Sequence, residues 1–132
     1  AILHSKALYS TLEVSHLLSP ERRSTRKNLE IHHLFPKAML KSNGIKGTRE
    51  INQIANQTLV EWSVNSDIGD AHPKDYAPTL ENKLEKSLSQ KTNEHHALPP
   101  KWWEMEYFEF LNERRKLMAS VIREAFQTLD RE

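Results

Sequence analysis

A short apolar segment that runs into a proline carries two adjacent histidines, and it constrains the fold of this chain more than any other stretch. The segment is Glu30-Ile31-His32-His33-Leu34-Phe35-Pro36. Leu29 and Ile31 indicate a strand, on which neighbouring residues point to opposite faces. His32 and His33 therefore have different surroundings, so that one can hold a metal while the other faces a substrate.

Two asparagines follow in comparable settings. Asn56 lies just before residues 57–62, whose alternation of side chains predicts a second strand. Ser63 is a natural N-cap for a helix that carries Asn65 and closes near Gly69. We expect both asparagines to join the two histidines in one site.

The composition indicates one soluble, helix-rich domain. The chain has 132 residues, of which 37% are hydrophobic and 28% charged, and its mean hydropathy is -0.72. It has no cysteine, which excludes disulfides and fits a reducing cytoplasm. No apolar run approaches the roughly 20 residues that span a bilayer, so we expect no membrane partner. Because the pattern is already under way at Ala1, we expect a domain of a longer protein.

The charge is divided unevenly along the chain. Residues 1–50 hold nine Lys and Arg against four Glu, a net charge of +5, while residues 51–132 hold ten basic and fourteen acidic residues, a net charge of −4. The positive half carries the two histidines. This asymmetry favours a polyanion such as DNA as the partner. Ordinary solvated helix charges are the alternative explanation.

The first half of the chain predicts short elements around the site. Residues 2–18 have apolar side chains at helical spacing, and a basic segment follows up to residue 28. Pro36 predicts a helix over residues 37–42 that ends at Asn43-Gly44. Residues 48–51 predict a further helical turn, from which we expect Ile51 and Ile54 to face inward.

The second half predicts helices. Pro73 begins a further turn of helix, and Leu80, Leu84 and Leu88 indicate a short amphipathic one. Residues 90–100 are polar and predict a loop, so we expect His95 and His96 at the surface. Residues 102–129 predict one long helix with an apolar core-facing stripe. The stripe is formed by Tyr107, Leu111, Met118, Val121, Ile122, Ala125 and Leu129.

The residue types of the expected site suit phosphodiester hydrolysis. That reaction needs a base for the attacking water, and a neutral imidazole is a natural base near neutral pH. It also needs a cation for the charge that develops on the phosphate. His32 offers a nitrogen and Asn65 an amide oxygen as metal ligands. Asn56 can donate and accept hydrogen bonds at once, so we expect it to bridge backbone groups and orient His33.

These residues carry a resemblance to a known family. Glu-Ile-His-His-Leu-Phe-Pro, then Ile-Ala-Asn-Gln-Thr-Leu, then Asn65, then Pro73-Lys74-Asp75-Tyr76 resemble the HNH nucleases, whose fold is the ββα-metal fold. The similar subgroup is the nuclease domain of GmrSD-type, modification-dependent restriction proteins. The likeness is strong over residues 29–80 and continues more weakly through His96-Ala97-Leu98-Pro99 and residues 107–115.

The resemblance implies an α+β fold, a mostly α-helical domain around a ββα-metal core with a short two-stranded antiparallel hairpin. Residues 1–132 would form a single HNH nuclease domain. Within it, 1–28 would be an N-terminal helix and basic segment, 29–80 the core, and 81–132 C-terminal helices.

The family pattern also implies residue roles, with His32 and Asn65 binding the metal, His33 as general base, and Asn56 orienting His33. The cofactor would be one divalent metal ion, Mg²⁺ or Mn²⁺, with Zn²⁺ or Ni²⁺ as alternatives. The sequence departs from the pattern at His32, where aspartate is common, and at Asn65, where the family name implies histidine.

The resemblance further implies a metal-dependent DNA endonuclease in restriction or anti-phage defence. The partners would be DNA, an upstream regulatory domain of the same protein, and a second copy in a homodimer. One alternative is a non-catalytic DNA-binding module that keeps the HNH fold, and another is a structural zinc site using both histidines of the pair and a third. We expect Glu30 to be a solvated strand carboxylate, with approach to the metal as the alternative, and His72 and Lys74 are candidates for phosphate contacts.

Overall fold

The computed structural model describes Leu8 and residues 29–130. Within them the chain forms a mixed α+β fold, mostly helical, with one two-stranded antiparallel hairpin, as the sequence predicts. In chain order the elements are β1 (Leu29–His33), α1 (Lys37–Ser42), α2 (Thr48–Ile51), a 3-10 turn (Ile54–Asn56), β2 (Gln57–Glu61), α3 (Trp62–Ile68), α4 (Pro73–Lys83), α5 (Lys86–His95), a second 3-10 turn (Trp102–Glu104) and α6 (Tyr107–Asp130). The predicted helix over 2–18 and the basic segment up to residue 28 lie outside the described residues, apart from Leu8.

The hairpin pairs β1 with β2 in a register that puts His32 opposite Thr58 and His33 opposite Gln57. The outer edge of β2 is also occupied, because the buried Leu8 donates its backbone N–H to the Leu59 carbonyl at 3.1 Å. Both long edges of β2 therefore make backbone hydrogen bonds. This fixes the strand on which the register of β1 depends.

Aromatic side chains fill the core directly behind the end of β1. The Phe35 ring packs against Trp102, Tyr107 and Phe110, with ring centroids 5.7, 5.4 and 4.9 Å apart. Phe35 is 2% exposed. Since it comes two residues after His33, this anchor limits how far the end of β1 can move.

Arg114 joins α6 to three other parts of the chain. Its guanidinium donates to the carbonyls of Ala55 and Gln57 at 2.8 and 2.6 Å, and to the His96 carbonyl through Nε and a terminal nitrogen at 3.3 and 3.1 Å. The side chain is buried, and burial lowers the pKa of Arg114 to about 10. The group stays charged at neutral pH and satisfies carbonyls that would otherwise be unpaired in the interior.

The helix over 37–42 is confirmed, and it ends at Asn43 and Gly44 as predicted. Gly44 has a φ of +90°, a conformation that glycine adopts without strain. Ile51 is buried as expected, but Ile54 is 72% exposed, so the prediction that it faces inward is wrong. Ile54 opens the 3-10 turn rather than continuing α2, and this rotates its side chain outward.

Several predicted boundaries in the second half are wrong. Leu80, Leu84 and Leu88 do not share a helix, because α4 ends at Lys83 and the chain is extended at Leu84. Residues 90–95, predicted as loop, belong to α5, whose polar sequence still buries Ser89 and Thr92. A helix whose buried face is polar has no periodic pattern of apolar residues, so the sequence does not show that one face packs against the protein.

The long C-terminal helix begins later and packs less than predicted. Glu106 immediately precedes α6, and its carboxylate accepts the backbone N–H groups of Phe108 and Glu109, both at 3.1 Å. This cap makes Tyr107 the first helical residue. Ile122 and Leu129 are 56% and 65% exposed, so the C-terminal half of the predicted core stripe is not buried against the described residues.

The predicted start of α3 is also wrong. The helix begins at Trp62, so Ser63 is not its N-cap.

Candidate functional site

The alternation of side chains along β1 separates the two histidines, as predicted. His32 is 5% exposed and faces α3 and α4, whereas His33 is half-buried at the edge of the hairpin. Glu30 lies on the same face as His32, two residues earlier. The strand thus presents one buried and one accessible imidazole at consecutive positions.

His32 lies between two polar side chains from different helices. Its Nδ1 is 3.0 Å from Oδ1 of Asn65 on α3, and its Nε2 is 3.3 Å from the hydroxyl of Tyr76 on α4. The two rings of His32 and Tyr76 meet edge to face with centroids 5.6 Å apart. The structure therefore brings His32 and Asn65 together, as the sequence predicts.

Both partners of His32 have fixed orientations. The Tyr76 hydroxyl donates its proton to the carbonyl of Leu34. The Asn65 amide donates through Nδ2 to the Glu30 carboxylate at 2.5 Å, which leaves Asn65 Oδ1 directed at His32. Glu30 is half-buried, so its carboxylate is partly solvated as expected, and it also orients the Asn65 side chain.

The neutral His32 ring can carry its proton on either nitrogen. Burial lowers the pKa of His32 to about 4, so the ring is neutral at physiological pH and carries a single proton. The ring cannot donate this one proton to both the Asn65 oxygen and the Tyr76 oxygen. The Tyr76 hydroxyl donates its own proton to the Leu34 carbonyl. A proton on Nδ1 is donated to Asn65 Oδ1. A proton on Nε2 instead leaves the Nδ1 lone pair opposite that oxygen, and the two acceptors can then bind a cation together.

The spacing of these two atoms also fits a metal. Adjacent ligands at right angles on an ion with bonds of about 2.1 Å lie about 3.0 Å apart. The Nδ1 to Oδ1 distance is 3.0 Å. Among the described residues no three or more His, Cys, Asp or Glu side chains cluster as a metal site. The candidate ligands are accordingly one imidazole and one amide oxygen, with the Glu30 carboxylate behind the amide.

His33 contacts a residue that the sequence analysis did not select. Its Nε2 lies 2.9 Å from Oδ1 of Asn52, the residue that follows α2. Asn52 is exposed and belongs to no part of the motif. Only the return of the connection between the strands brings it to His33, so no pattern along the chain could have identified it.

Asn56 is fully buried and holds the connection between the strands. Its Oδ1 accepts the Phe35 N–H at 2.8 Å, and its Nδ2 donates to the carbonyls of Phe35 and Ile51 at 3.1 and 3.2 Å. Its own carbonyl accepts the Leu34 N–H at 2.8 Å. Asn56 thus bridges backbone groups, as expected, and fixes the two residues after His33 without touching the imidazole. Its role in catalysis stays a prediction.

The three other histidines that the structure describes lie outside the site. His72 is the N-cap of α4, where its Nδ1 accepts the Lys74 N–H at 3.2 Å. His95 is exposed as predicted, but His96 is 3% exposed and its Nδ1 lies 2.9 Å from the Thr58 hydroxyl. The prediction of a surface position for His96 is wrong, because α5 continues to His95 and turns the next residue inward.

Basic side chains surround the connection that carries Asn52. Lys37, Lys41, Lys46 and Arg49 are all exposed. Among the side chains that the structure describes, the only ion pair closer than 4 Å joins Lys116 and Glu113 on α6. The connection over residues 34–56 holds one acidic residue, the exposed Glu50, against these four basic ones, so its net charge is +3 and its surface is positive.

Comparison of the chain with models of known protein families, with curated proteins and with solved structures finds no match. In the part of the chain that the structure describes, no helix combines the length and the apolar character needed to cross a bilayer. The geometry of the site and the resemblance of its residues to the HNH pattern are therefore the features that point to a function.

Proposed function

We propose that this chain is a metal-dependent DNA endonuclease domain of the HNH kind, which hydrolyses phosphodiester bonds by nicking or double-strand cleavage. The observation that carries the proposal is the meeting of His32 Nδ1 with Asn65 Oδ1 at 3.0 Å, beside an accessible His33. The order of β1, a long connection, β2 and α3 agrees with a ββα-metal core. A role in restriction or anti-phage defence follows from the resemblance.

The proposal assigns the metal to His32 and Asn65. One divalent ion, Mg²⁺ or Mn²⁺, with Zn²⁺ or Ni²⁺ as alternatives, would supply Lewis-acid stabilisation of the charge on the phosphate and leaving oxygen. Both ligands are neutral, and the nearest described carboxylate, that of Glu30, reaches the site through the Asn65 amide. Because His32 is buried and fixed on two sides, its nitrogen needs little reorganisation to bind a metal.

His33 is the proposed general base. It takes a proton from water as the water oxygen attacks phosphorus, the bond from phosphorus to the leaving oxygen breaks, and that oxygen is protonated from solvent. The base must be accessible to substrate, and His33 is half-exposed beside a positive surface. Asn56 keeps the end of β1 in place through the Phe35 backbone.

Lys37, Lys41, Lys46 and Arg49 are the proposed contacts to DNA phosphates. Such contacts make affinity depend on salt without selecting a sequence. Sequence or modification specificity would then come from an upstream domain of the same protein. A double-strand cut by one small site would use a homodimer.

Plasmid cleavage with a panel of divalent metals tests the proposal. Cleavage is expected with Mg²⁺ or Mn²⁺ and is expected to stop with EDTA. His33→Ala should lower the cleavage rate by about 10²–10⁴-fold, the loss typical of a general base, with unchanged unfolding. His95→Ala is the matched control, because His95 is an exposed histidine outside the site, and it should cleave at the parental rate.

Two outcomes would contradict the proposal. If His33→Ala nicks plasmid as fast as the parent, His33 is not the base. If DNA binding persists in EDTA while no metal supports nicking of modified or unmodified DNA, the chain is instead a binding module.

A further inference from the structure

The side chain of Asn52 meets the imidazole of His33 through one specific atom. Asn52 Oδ1 lies 2.9 Å from His33 Nε2. Among the described residues His33 Nδ1 has no hydrogen-bond partner. One ring nitrogen of the accessible histidine is therefore engaged, and the other is left for a partner from solvent.

Although Asn52 is exposed, the turn that carries it is held firmly. Three consecutive carbonyls of α2 each accept a hydrogen bond from a side chain elsewhere, which suits a helix end whose carbonyls lack intrahelical partners. Gln53 Nε2 donates to the Arg49 carbonyl at 2.7 Å, the Tyr107 hydroxyl to the Glu50 carbonyl at 2.6 Å, and Asn56 Nδ2 to the Ile51 carbonyl at 3.2 Å.

Further hydrogen bonds hold Asn52 and the residue after it in place. The Asn52 N–H donates to the Thr48 carbonyl at 2.9 Å, and the next residue, Gln53, accepts a bond from Arg115 at 2.8 Å. The turn is thus tied to α6 twice and to the 3-10 turn once. An asparagine on such a turn presents its amide at a defined place.

An amide oxygen only accepts hydrogen bonds, so its contact selects one form of the ring. We propose that Asn52 is a positioning residue that holds neutral His33 as the Nε2–H tautomer and leaves Nδ1 as the nitrogen that accepts the proton of the attacking water. The role of Nδ1 in the reaction rests on the proposed function. The effect of Asn52 on the tautomer does not.

Nitrogen-15 NMR of the histidine rings tests the tautomer without any assay of activity. The chain has seven histidines, and the spectrum of His33→Ala identifies the signals of His33 by their loss. At a pH where His33 is neutral, the parent should show a protonated Nε2 and an unprotonated Nδ1. Asn52→Ala should mix the two tautomers, whereas Asn52→Asp, which keeps an acceptor oxygen at the same reach, should retain the Nε2–H form.

Cleavage rates test the consequence for the reaction. Asn52→Ala should lower kcat by about 10- to 100-fold, as expected when a catalytic group loses the partner that orients it, with KM nearly unchanged. Asn82→Ala is the matched control, an exposed asparagine on α4 away from the site, and should leave kcat and the His33 signals unchanged.

The two measurements separate the inference from the proposed function. A His33 ring that is already the Nδ1–H tautomer in the parent, or a tautomer unchanged in Asn52→Ala, overturns the inference even if the protein cleaves DNA. A shifted tautomer with an unchanged kcat overturns the role of Nδ1 alone. A shifted tautomer in a protein that cleaves nothing supports the positioning by Asn52 and contradicts the nuclease.

Discussion

Replacing Asn56 with alanine tests how the site is held in place. The Asn56 side chain is fully buried and makes three hydrogen bonds, to the N–H and the carbonyl of Phe35 and to the carbonyl of Ile51. Alanine removes all three and leaves the backbone groups without partners in the interior. The substitution does not touch either histidine, so its effects report on the scaffold of the site.

The expected loss of stability can be estimated from these contacts. Three hydrogen bonds at about 1 kcal/mol each amount to about 3 kcal/mol. Buried groups left unsatisfied raise the loss towards about 5 kcal/mol. A domain of this size is stable by about 5–15 kcal/mol, so Asn56→Ala should still fold but with a midpoint of thermal unfolding roughly 10–20 °C lower.

Urea unfolding followed by circular dichroism measures the change, with exposed Asn82→Ala as a control expected within about 0.5 kcal/mol of the parent. Asn56→Asp sharpens the test. Its carboxylate keeps the acceptor for the Phe35 N–H but faces the carbonyls of Phe35 and Ile51, so it should be destabilised at neutral pH. Its loss of stability relative to the parent should become smaller as the pH falls, because the protonated acid can donate to one carbonyl. A loss below about 1 kcal/mol for Asn56→Ala would refute this account of the connection.

Two further predictions concern buried groups. In metal-free protein the pKa of His32 is about 4 in the folded state and 6.5 in the unfolded chain, so on acidification the unfolded chain binds a proton first. The free energy of unfolding should therefore be full above pH 6.5 and fall by up to about 3 kcal/mol as the pH drops towards 4. His32→Gln should flatten the dependence of unfolding free energy on pH over that window, and an equally steep profile would contradict the assignment. Arg114→Met should destabilise the fold by about 3–5 kcal/mol by leaving the carbonyls of Ala55, Gln57 and His96 unpaired. Chemical unfolding measures that loss, and Arg123→Met on the exposed part of α6 should change stability by less than about 0.5 kcal/mol.

The sequence predicted the hairpin and the pairing of His32 with Asn65 because both depend on local rules. Strand alternation separates His32 from His33, and the short step from β2 into α3 places Asn65 beside β1. Pro36 and Gly44 likewise determine the ends of α1 through their own backbone preferences. These features follow from residues that are close together in the chain, although the local N-cap signal at Ser63 does not set the start of α3.

The failures occur where tertiary contacts decide. His96 is buried because Arg114 binds its carbonyl and Thr58 meets its ring, and both lie far away in the chain. Asn52 reaches His33 only through the fold of the whole connection. Ile54 and Ile122 are apolar yet exposed, which no hydrophobic pattern distinguishes from burial.

The two histidines illustrate why adjacent residues on one strand suit a hydrolytic site. A histidine that binds a metal must be neutral. Burial on one face of β1 lowers the pKa of His32, while Asn65 and Tyr76 contact both of its nitrogens. A general base must be reachable by water and substrate, which the opposite face allows for His33. Because the peptide bond joins the two residues, any displacement of the proposed base relative to the proposed metal ligand requires distortion of the hairpin, in which β2 pairs with β1 and also accepts a hydrogen bond from Leu8. The proposed division of labour between ligand and base therefore follows from the geometry of a strand.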